Sequence, residues 1–270
     1  MGKLSKSELR LAKEVEEILK KEKLTIDETE YVYENFNPGF YGDVSSSSSF
    51  FTPMALSYDS ALLGARHGDV LDLCSGIGGL AFAAIVRNRF CEQMTSLTLV
   101  EYNPVYLAFA RKLIAPLSGY THSGKPINIS FCGASMWDQS FWVQVMDDRR
   151  GQMFHSAFSN PPYGRMTEQE RSEASWLYYT GERDLAACEL IWRHSIYGTA
   201  ILPQMSCSFQ YSNRPYYERR PSSKAERLHK ALEGKGRPFA MECAGVDCGL
   251  YVNAWKGTKI LVEVADLRFE

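Results

Sequence analysis

Apolar residues recur at helical spacing at the start of the chain and form short runs further along it. Between residues 5 and 23, leucine, isoleucine and valine stand among Lys and Glu, which predicts an amphipathic helix. From residue 68 onward, short apolar runs alternate with longer stretches of helical periodicity. This alternation predicts an α/β fold in which a mostly parallel sheet is covered by helices on both faces.

Seven apolar runs are predicted as strands, and helical stretches lie before and between them. The strands cover residues 69–74, 96–101, 127–132, 153–160, 198–203, 237–245 and 259–269. The helices cover residues 53–63, 79–90, 104–117, 138–147, 183–197 and 222–233. A run of serines, Ser45–Ser49, indicates a flexible linker, with a loop ordered by a ligand as the alternative. We therefore predict an N-terminal helical segment over 1–45 and a main domain over 46–270.

The composition excludes a disordered or fibrous chain, because 45% of the residues are hydrophobic and 23% are charged. The net charge of −2 does not indicate nucleic-acid binding, and it does not exclude a local basic surface. The charged start of the chain and the lack of a long apolar run predict a cytoplasmic protein with no membrane partner. The seven cysteines are scattered and complete no zinc pattern, so we predict reduced thiols and no metal.

A basic segment follows the fifth predicted strand. Residues 214–237 carry a net charge of +5 and include neighbouring tyrosines. Basic and aromatic side chains together suit contacts with phosphates and stacking on bases, although a solvated basic helix is the alternative. The candidate nucleic-acid contacts are Arg214, Tyr216, Tyr217, Arg219, Arg220 and Lys224.

Glycines follow the first predicted strand in the sequence DVLDLCSGIGG, which spans residues 69–79. Gly76 and Gly78 allow a ligand to approach the backbone closely, and the next helix offers free N–H groups at its start. A glycine-rich turn of this kind also occurs in dinucleotide enzymes. Glu101 ends the second strand, where a carboxylate can accept hydrogen bonds from both hydroxyls of a ribose. The alternative for Glu101 is a helix-capping carboxylate.

The tetrapeptide Asn160-Pro161-Pro162-Tyr163 ends the fourth predicted strand, at the sheet edge where α/β proteins bind ligands. The two prolines force an extended turn, so the Asn160 side chain and the Pro161 carbonyl can accept both hydrogens of a planar amine. Tyr163 offers a flat face for the ring that carries this amine. A plain turn is the alternative reading of the tetrapeptide alone.

The order of the glycine-rich loop and the NPPY tetrapeptide resembles the amino-methyltransferases, which methylate exocyclic amines of adenine or cytosine or an amide of glutamine. Phe50-Phe51-Thr52-Pro53 is similar to the F-x-T-P segment of DNA adenine-N6 methyltransferases, in particular the gamma-type enzymes and type I modification subunits. The alternative for this segment is a helix start with apolar anchors. The resemblance covers roughly residues 50–205, and the family's acid after the third strand is missing, since no acid follows Cys132 before Asp138.

The resemblance implies a Rossmann-like methyltransferase fold and S-adenosyl-L-methionine as cofactor, with S-adenosyl-L-homocysteine as product. The implied catalytic residues are Asn160, Pro161, Pro162 and Tyr163. The implied cofactor-binding residues are Phe51, Thr52, Pro53, Asp72, Cys74, Gly76, Gly78, Glu101, Tyr102, Ala134 and Asn160. Phe209 and Tyr211 are candidates for the opposite face of the base, with ordinary core aromatics as the alternative.

The resulting hypothesis is methyl transfer to the N6 amine of adenine in DNA, on a base flipped out of the duplex. Only the loops at 164–182 and 206–224 are available to recognise the substrate. We therefore expect short or relaxed sequence specificity, or a separate specificity or modification-system subunit as partner. The alternatives are the same chemistry on RNA or on a protein glutamine, and a non-catalytic cofactor-binding subunit.

Overall fold

The computed structural model describes residues 6–37, 52–64, 67–203, 223–250 and 259–269. The helices within these ranges are α1 (Lys6–Leu19), α2 (Ile26–Asn35), α3 (Met54–Gly64), α4 (Gly79–Cys91), α5 (Pro104–Ile114), α6 (Gln139–Asp148), α7 (Glu168–Glu173), α8 (Arg183–His194) and α9 (Ser223–Leu232). The strands are β1 (Gly68–Leu73), β2 (Met94–Val100), β3 (Asn128–Cys132), β4 (Phe154–Ser159), β5 (Ser195–Pro203), β6 (Ala240–Leu250) and β7 (Lys259–Arg268).

The strands form one seven-stranded sheet in the order β3-β2-β1-β4-β5-β7-β6. The first five strands are parallel, whereas β7 pairs antiparallel with both β5 and β6. The predicted α/β fold with a mostly parallel, seven-stranded sheet is thus confirmed. The last strand of the sequence lies inside the sheet, between β5 and β6.

The register of the central strands brings three loops to one edge of the sheet. Leu73 at the end of β1 is paired with Val100 of β2 and with Ser159 of β4. The residues that follow these positions therefore leave the sheet side by side. Because the strands are parallel, the glycine-rich loop, Glu101 and Asn160 all lie at the carboxyl-terminal edge.

Two apolar cores cover the two faces of the sheet, as the pattern of helices predicts. One core contains buried residues of α3, α4 and α5, and the other contains buried residues of α6, α8 and α9. The N-terminal helices contribute Val15, Val32 and Phe36 to the first core, where they join Ile77 and Leu80. The structure thus packs the N-terminal segment against the glycine-rich loop, and the division at residues 45 and 46 stays a prediction.

Helices α2 and α7 were not predicted, and helices α5 and α8 end earlier than predicted. Helix α2 lies in the predicted N-terminal helical segment but beyond the helix predicted between residues 5 and 23, and it begins with a capping box between Thr25 and Glu28. Helix α5 ends at Ile114 and continues as a 3-10 turn, Ala115–Gly119, because Pro116 has no N–H for the helical ladder. Helix α8 ends at His194, three residues early, and β5 begins at Ser195.

The predictions about cysteines and membranes fall partly within the described residues. Cys74, Cys132 and Cys188 are free thiols, as expected, but Cys243 is in a disulfide, so the prediction of reduced thiols is wrong at this position. No helix in the described ranges is long and apolar enough to cross a membrane. Over the same ranges, no group of three or more His, Cys, Asp and Glu side chains is arranged to hold a metal ion.

Candidate active site

A cavity of about 1350 Å³ opens at the carboxyl-terminal edge of β1, β2, β3 and β4. Ligand pockets for drug-sized molecules measure about 300–1,000 Å³, so this cavity has room for a nucleoside-sized cofactor and an acceptor group together. The residues from the predicted site that line it are Thr52, Cys74, Gly76, Glu101, Tyr102, Ala134, Asn160, Pro161 and Pro162.

The glycine-rich loop turns sharply after β1 through left-handed backbone conformations. Cys74, Gly76 and Gly78 have φ angles of 61°, 57° and 92°. At Gly78 an added Cβ would lie 2.8 Å from Cγ1 of Ile114, so only glycine fits this position without a shift. The turn is closed by the Gly78 N–H, which donates to the Ser75 carbonyl at 2.8 Å. The loop thus presents its backbone to the cavity ahead of α4.

The carboxylate of Glu101 faces the loop across the cavity floor. Its Oε2 accepts from the Gly76 N–H at 2.8 Å, and its Oε1 accepts from the Asn103 N–H at 2.7 Å. Burial raises the pKa of Glu101 above its ordinary value of 4.5, and the backbone N–H groups of Asn103, Gly76 and Tyr102 offset part of this rise. Two backbone contacts therefore orient both carboxylate oxygens beside the cavity, as required of a group that binds a diol.

The segment after β3 lines the cavity, and its first acid after Cys132 is Asp138. The Ser135 hydroxyl accepts from the Trp137 N–H at 3.2 Å. Asp138 is the N-cap of α6, and its Oδ1 accepts from the Ser140 N–H at 2.9 Å. Ala134, Ser135 and Asp138 all line the cavity. A carboxylate therefore reaches the same cavity from the start of the following helix.

The Asn160 side chain is held from two sides at the end of β4. Its Nδ2 donates to Thr52 Oγ1 at 2.8 Å, and its Oδ1 accepts from the Tyr163 hydroxyl at 3.0 Å. The preceding residue is fixed as well, because the Ser159 hydroxyl donates to the Leu73 carbonyl at 2.6 Å. The NPPY turn and Thr52 thus meet at the cavity, and the Tyr163 hydroxyl bonds to the amide oxygen.

The turn after Tyr163 leads into α7, which covers the other end of the cavity. Arg183 Nε donates to both carboxylate oxygens of Glu170, at 2.7 and 3.0 Å, and its Nη1 donates to the Tyr163 carbonyl at 3.3 Å. Helix α7 begins with a capping box between Thr167 and Glu170. These contacts connect α7, α8 and the NPPY turn on one wall of the cavity.

The rest of the predicted recognition loop, 174–182, is held by two buried acids. Glu189 accepts from the Tyr178 and Tyr179 N–H groups at 2.8 and 2.7 Å, and it pairs with Arg193 at 2.7 Å. Glu182 pairs with Arg227 of α9 at 2.9 Å. The loop is therefore held next to Arg183, which lines the cavity, and it is connected to the basic helix α9.

Several predicted site residues lie near the cavity but do not line it. Asp72 is fully buried in β1, and this burial raises the pKa of its carboxyl well above the ordinary value. The nearby Ala81 N–H offsets part of the rise in pKa, although it forms no hydrogen bond of normal geometry with Asp72. Gly78 belongs to the glycine-rich loop but faces Ile114, and Pro53 precedes α3. Tyr163 contacts the cavity-lining Asn160 through the bond from its hydroxyl to Asn160 Oδ1. Their roles stay predictions.

Other predicted positions lie outside the described residues. These are Phe51 and the basic-segment residues Arg214, Tyr216, Tyr217, Arg219 and Arg220, together with Phe209, Tyr211 and the serine run. Lys224 is described, and it lies in the first turn of α9 with a partly exposed side chain. The proposed nucleic-acid contacts therefore stay predictions.

The structure adds lining residues that the sequence analysis missed: Tyr33, Met136, Trp137, Glu170, Glu173 and Arg183. The Tyr33 hydroxyl donates to the Ile77 carbonyl of the glycine-rich loop at 3.1 Å. For α7, the Thr167-x-x-Glu170 spacing was a local signal of a helix start. The other residues enter through tertiary packing, for which the sequence gives no local signal.

No protein-family model matches the chain, and no curated protein matches it by sequence. Solved structures do resemble it. The methyltransferase subunit of a type I restriction-modification system from Streptococcus thermophilus has a TM-score of 0.57 and 16% identity, over 90% of this chain and 50% of that one. The chain thus spans half the length of that subunit.

Two further structures match over most of both chains. A Listeria monocytogenes protein assigned to the class I S-adenosylmethionine-dependent methyltransferases has a TM-score of 0.55 and 11% identity, over 97% of this chain and 87% of that one. A Pyrococcus horikoshii protein assigned as an RNA methyltransferase has a TM-score of 0.50 and 12% identity, over 97% and 98%. The chain therefore has the Rossmann-like fold of the S-adenosylmethionine-dependent methyltransferases.

Proposed function

We propose that the protein transfers a methyl group from S-adenosyl-L-methionine to the exocyclic N6 amine of adenine in DNA. The observation that carries this proposal is the common cavity of Asn160-Pro161-Pro162, the glycine-rich loop and Glu101. The glycine-rich loop and Glu101 suit a nucleoside cofactor, and Asn160, Pro161 and Pro162 suit a planar amine. Their position in one cavity supports transfer between the two.

The residues present fit the cofactor. The oriented carboxylate of Glu101 can accept hydrogen bonds from both ribose hydroxyls of the cofactor. The loop around Gly76 leaves room for the cofactor to pass close to the protein backbone. Tyr102 and Ala134 line the cavity beside them, where they can contact the adenine ring. When bound, S-adenosyl-L-methionine supplies a methyl group on a sulfonium, which is already a good electrophile.

The remaining residues orient the acceptor. The Asn160 amide oxygen and the Pro161 carbonyl can accept hydrogen bonds from the two hydrogens of a planar amine, which directs its nitrogen lone pair into the cavity. The same dipoles stabilise the positive charge that develops on this nitrogen. Tyr163 adjoins Asn160 and can stack on the acceptor ring.

DNA is the preferred acceptor for two reasons. The order of F-T-P, glycine loop and NPPY resembles the DNA adenine enzymes, and the Thr52 contact with Asn160 brings the first and last of these segments together. In addition, the basic helix α9 pairs through Arg227 with Glu182, which is the neighbour of the cavity-lining Arg183. A flipped adenine would enter the cavity on this side.

One observation favours a second candidate, the amide of a glutamine in a protein. The cavity is lined by Asp138, Glu170 and Glu173, and Glu170 is paired with Arg183. Carboxylates that line a cavity repel a phosphate backbone and attract a basic polypeptide. A glutamine side chain presents to Asn160 and Pro161 a planar NH2 group, as the exocyclic amine of adenine does.

The test is transfer of a tritiated methyl group to unmethylated plasmid DNA, to RNA and to a protein extract. We expect label in DNA, recovered as N6-methyladenine, and loss of label in Asn160→Ala. Asn35→Ala is the matched control, because Asn35 bonds to Tyr31 within α2 and does not line the cavity. Label in protein alone would replace the first candidate with the second, and label that survives Asn160→Ala would contradict the mechanism.

A further inference from the structure

The Thr52 side chain makes a contact that a cofactor-binding role does not require. Its Oγ1 accepts from Asn160 Nδ2 at 2.8 Å, across 108 residues of sequence. The Tyr163 hydroxyl bonds to the other end of the same amide, Oδ1, at 3.0 Å. The plane of the Asn160 amide is therefore fixed at its nitrogen and at its oxygen.

Thr52 is itself placed by a rigid element. It is separated by Pro53 alone from α3, whose first turn is closed by the Ser57 N–H donating to the Pro53 carbonyl at 2.9 Å. Helix α3 packs against α4, β4 and β5. Because threonine is branched at Cβ, its χ1 angle is restricted, which limits the directions that its hydroxyl can take.

We propose that Thr52 is a positioning residue, which orients the Asn160 amide so that its oxygen points to the acceptor amine. This inference rests on the proposed methyl transfer. An amide can rotate about χ2, and a rotated Asn160 would turn its NH2 group towards the substrate amine, where two donors face each other. The hydrogen bond to Thr52 keeps Asn160 Nδ2 on the side of Thr52. The Asn160 amide oxygen is therefore already in position to accept a hydrogen bond from the amine before the substrate binds.

The test compares Thr52→Val with Thr52→Ser. Valine keeps the branched shape and removes the hydroxyl, whereas serine keeps the hydroxyl. For Thr52→Val we expect kcat to fall about tenfold or more, because misorientation of a reacting group has effects of this size. The Kd for sinefungin, an analogue of S-adenosyl-L-methionine, should stay within about twofold by calorimetry, because the bond that valine removes is made with Asn160. Thr52→Ser should recover most of kcat.

A second measurement does not depend on methyl transfer. In protein with 15N-labelled asparagine side chains, the Asn160 signals are assigned by their loss in Asn160→Asp. We expect Thr52→Val to shift the Asn160 side-chain N–H signals and to speed their exchange with solvent, and Thr52→Ser to leave them close to the wild-type positions. This measurement reports on the bond itself.

The outcomes separate the two proposals. A rise of about tenfold in the sinefungin Kd of Thr52→Val, which is about 1.4 kcal/mol, would assign Thr52 to the cofactor and overturn the inference. Equal kcat in Thr52→Val and the wild type, or unchanged Asn160 signals, would overturn it as well. If the wild type methylates no acceptor, the proposed function fails, and the Asn160 signals alone decide whether Thr52 orients the amide.

Discussion

The Tyr33 hydroxyl donates a hydrogen bond to the Ile77 carbonyl at 3.1 Å, which connects α2 to the glycine-rich loop. Tyr33 is buried, and its ring contacts Phe82 at a centroid distance of 5.1 Å. An N-terminal helix thus takes part in shaping the predicted cofactor site.

Tyr33→Phe should therefore weaken the loop without disturbing the packing of the ring. A buried carbonyl that loses its partner costs about 1–3 kcal/mol, so we expect a loss of stability in this range and weaker binding of sinefungin. Urea denaturation and calorimetry measure the two effects. Tyr31→Phe is the control on the same helix, because the Tyr31 hydroxyl bonds to Glu14 at an exposed position. Equal effects of the two substitutions would contradict this role of Tyr33.

Gly78→Ala tests the turn of the loop. Gly78 has a φ of 92°, and a Cβ there would lie 2.8 Å from Ile114 Cγ1. We expect a loss of about 1–3 kcal/mol in unfolding free energy and a large loss of cofactor affinity, because the loop has to shift. Gly119→Ala serves as the comparison, since a Cβ at Gly119 meets no atom within 4 Å. Wild-type sinefungin binding by Gly78→Ala would show that the cofactor does not use this turn.

The pKa of Glu101 predicts how cofactor binding depends on pH. Burial raises this pKa above 4.5, so Glu101 takes up a proton at a higher pH than an exposed glutamate does. A protonated carboxyl accepts the ribose hydroxyls less well, and affinity for sinefungin should fall as the pH falls through the raised pKa. In Glu101→Gln the affinity should be lower by about tenfold to a hundredfold, because a charged acceptor is lost, and it should lack this pH dependence. Calorimetry at a series of pH values from neutral to acidic measures this affinity. A wild-type affinity that stays constant over the series would contradict the prediction.

His194 predicts how stability depends on pH. It is buried and stacks on Trp142 at 4.2 Å, and neither ring nitrogen has a hydrogen-bonding partner among the described residues. Burial, with a smaller effect of Arg193, lowers its pKa from 6.5 to about 3. The unfolded chain therefore binds a proton between these values that the folded chain does not, and stability is complete above pH 6.5 and falls as the pH falls towards 3.

His194→Phe keeps a flat ring on Trp142 and removes the titration. Over this acidic range, the unfolding free energy of the wild type should fall faster than that of the variant, by up to about 1.4 kcal/mol per pH unit. Urea denaturation at a series of pH values gives both slopes. Above pH 7 the difference between the two proteins should be constant, and parallel curves over the whole range would contradict the shifted pKa of His194.

The sheet and the main site residues could be predicted because they depend on local patterns and on one general rule. Short apolar runs mark the strands, and parallel strands place their carboxyl ends at one edge. This rule alone brings Gly76, Glu101 and Asn160 together, as the register of Leu73 with Val100 and Ser159 shows.

Two helices were missed because their local signals were weak or misinterpreted. In α2, the acids at the start are those of a capping box with Thr25, and Tyr33 and Phe36 lie on the face that packs against the core. Helix α7 has six residues and no buried one, so it has no apolar periodicity to detect. Only its Thr167-x-x-Glu170 spacing was visible in the sequence.

The contacts between distant segments could not be predicted. Thr52 meets Asn160 across 108 residues, and Arg183 reaches the Tyr163 carbonyl from the start of α8. Such contacts depend on how helices α3 and α8 settle on the sheet, which the pattern of apolar residues does not determine. The sequence thus predicted Asn160 as a candidate site residue, and the structure shows which side chains bond to it.

The position of β7 has a consequence for how the chain acquires its fold during synthesis. Lys259–Arg268 fills the place between β5 and β6, where Val262, Ala265 and Leu267 are buried. Until these residues leave the ribosome, β5 is an edge strand whose backbone groups on one side are unpaired. The helices on both faces then cover a sheet that lacks β7. A nascent or truncated chain without this strand therefore exposes an aggregation-prone edge next to the wall of the cavity, and residues far from the chemistry decide when a stable site can form.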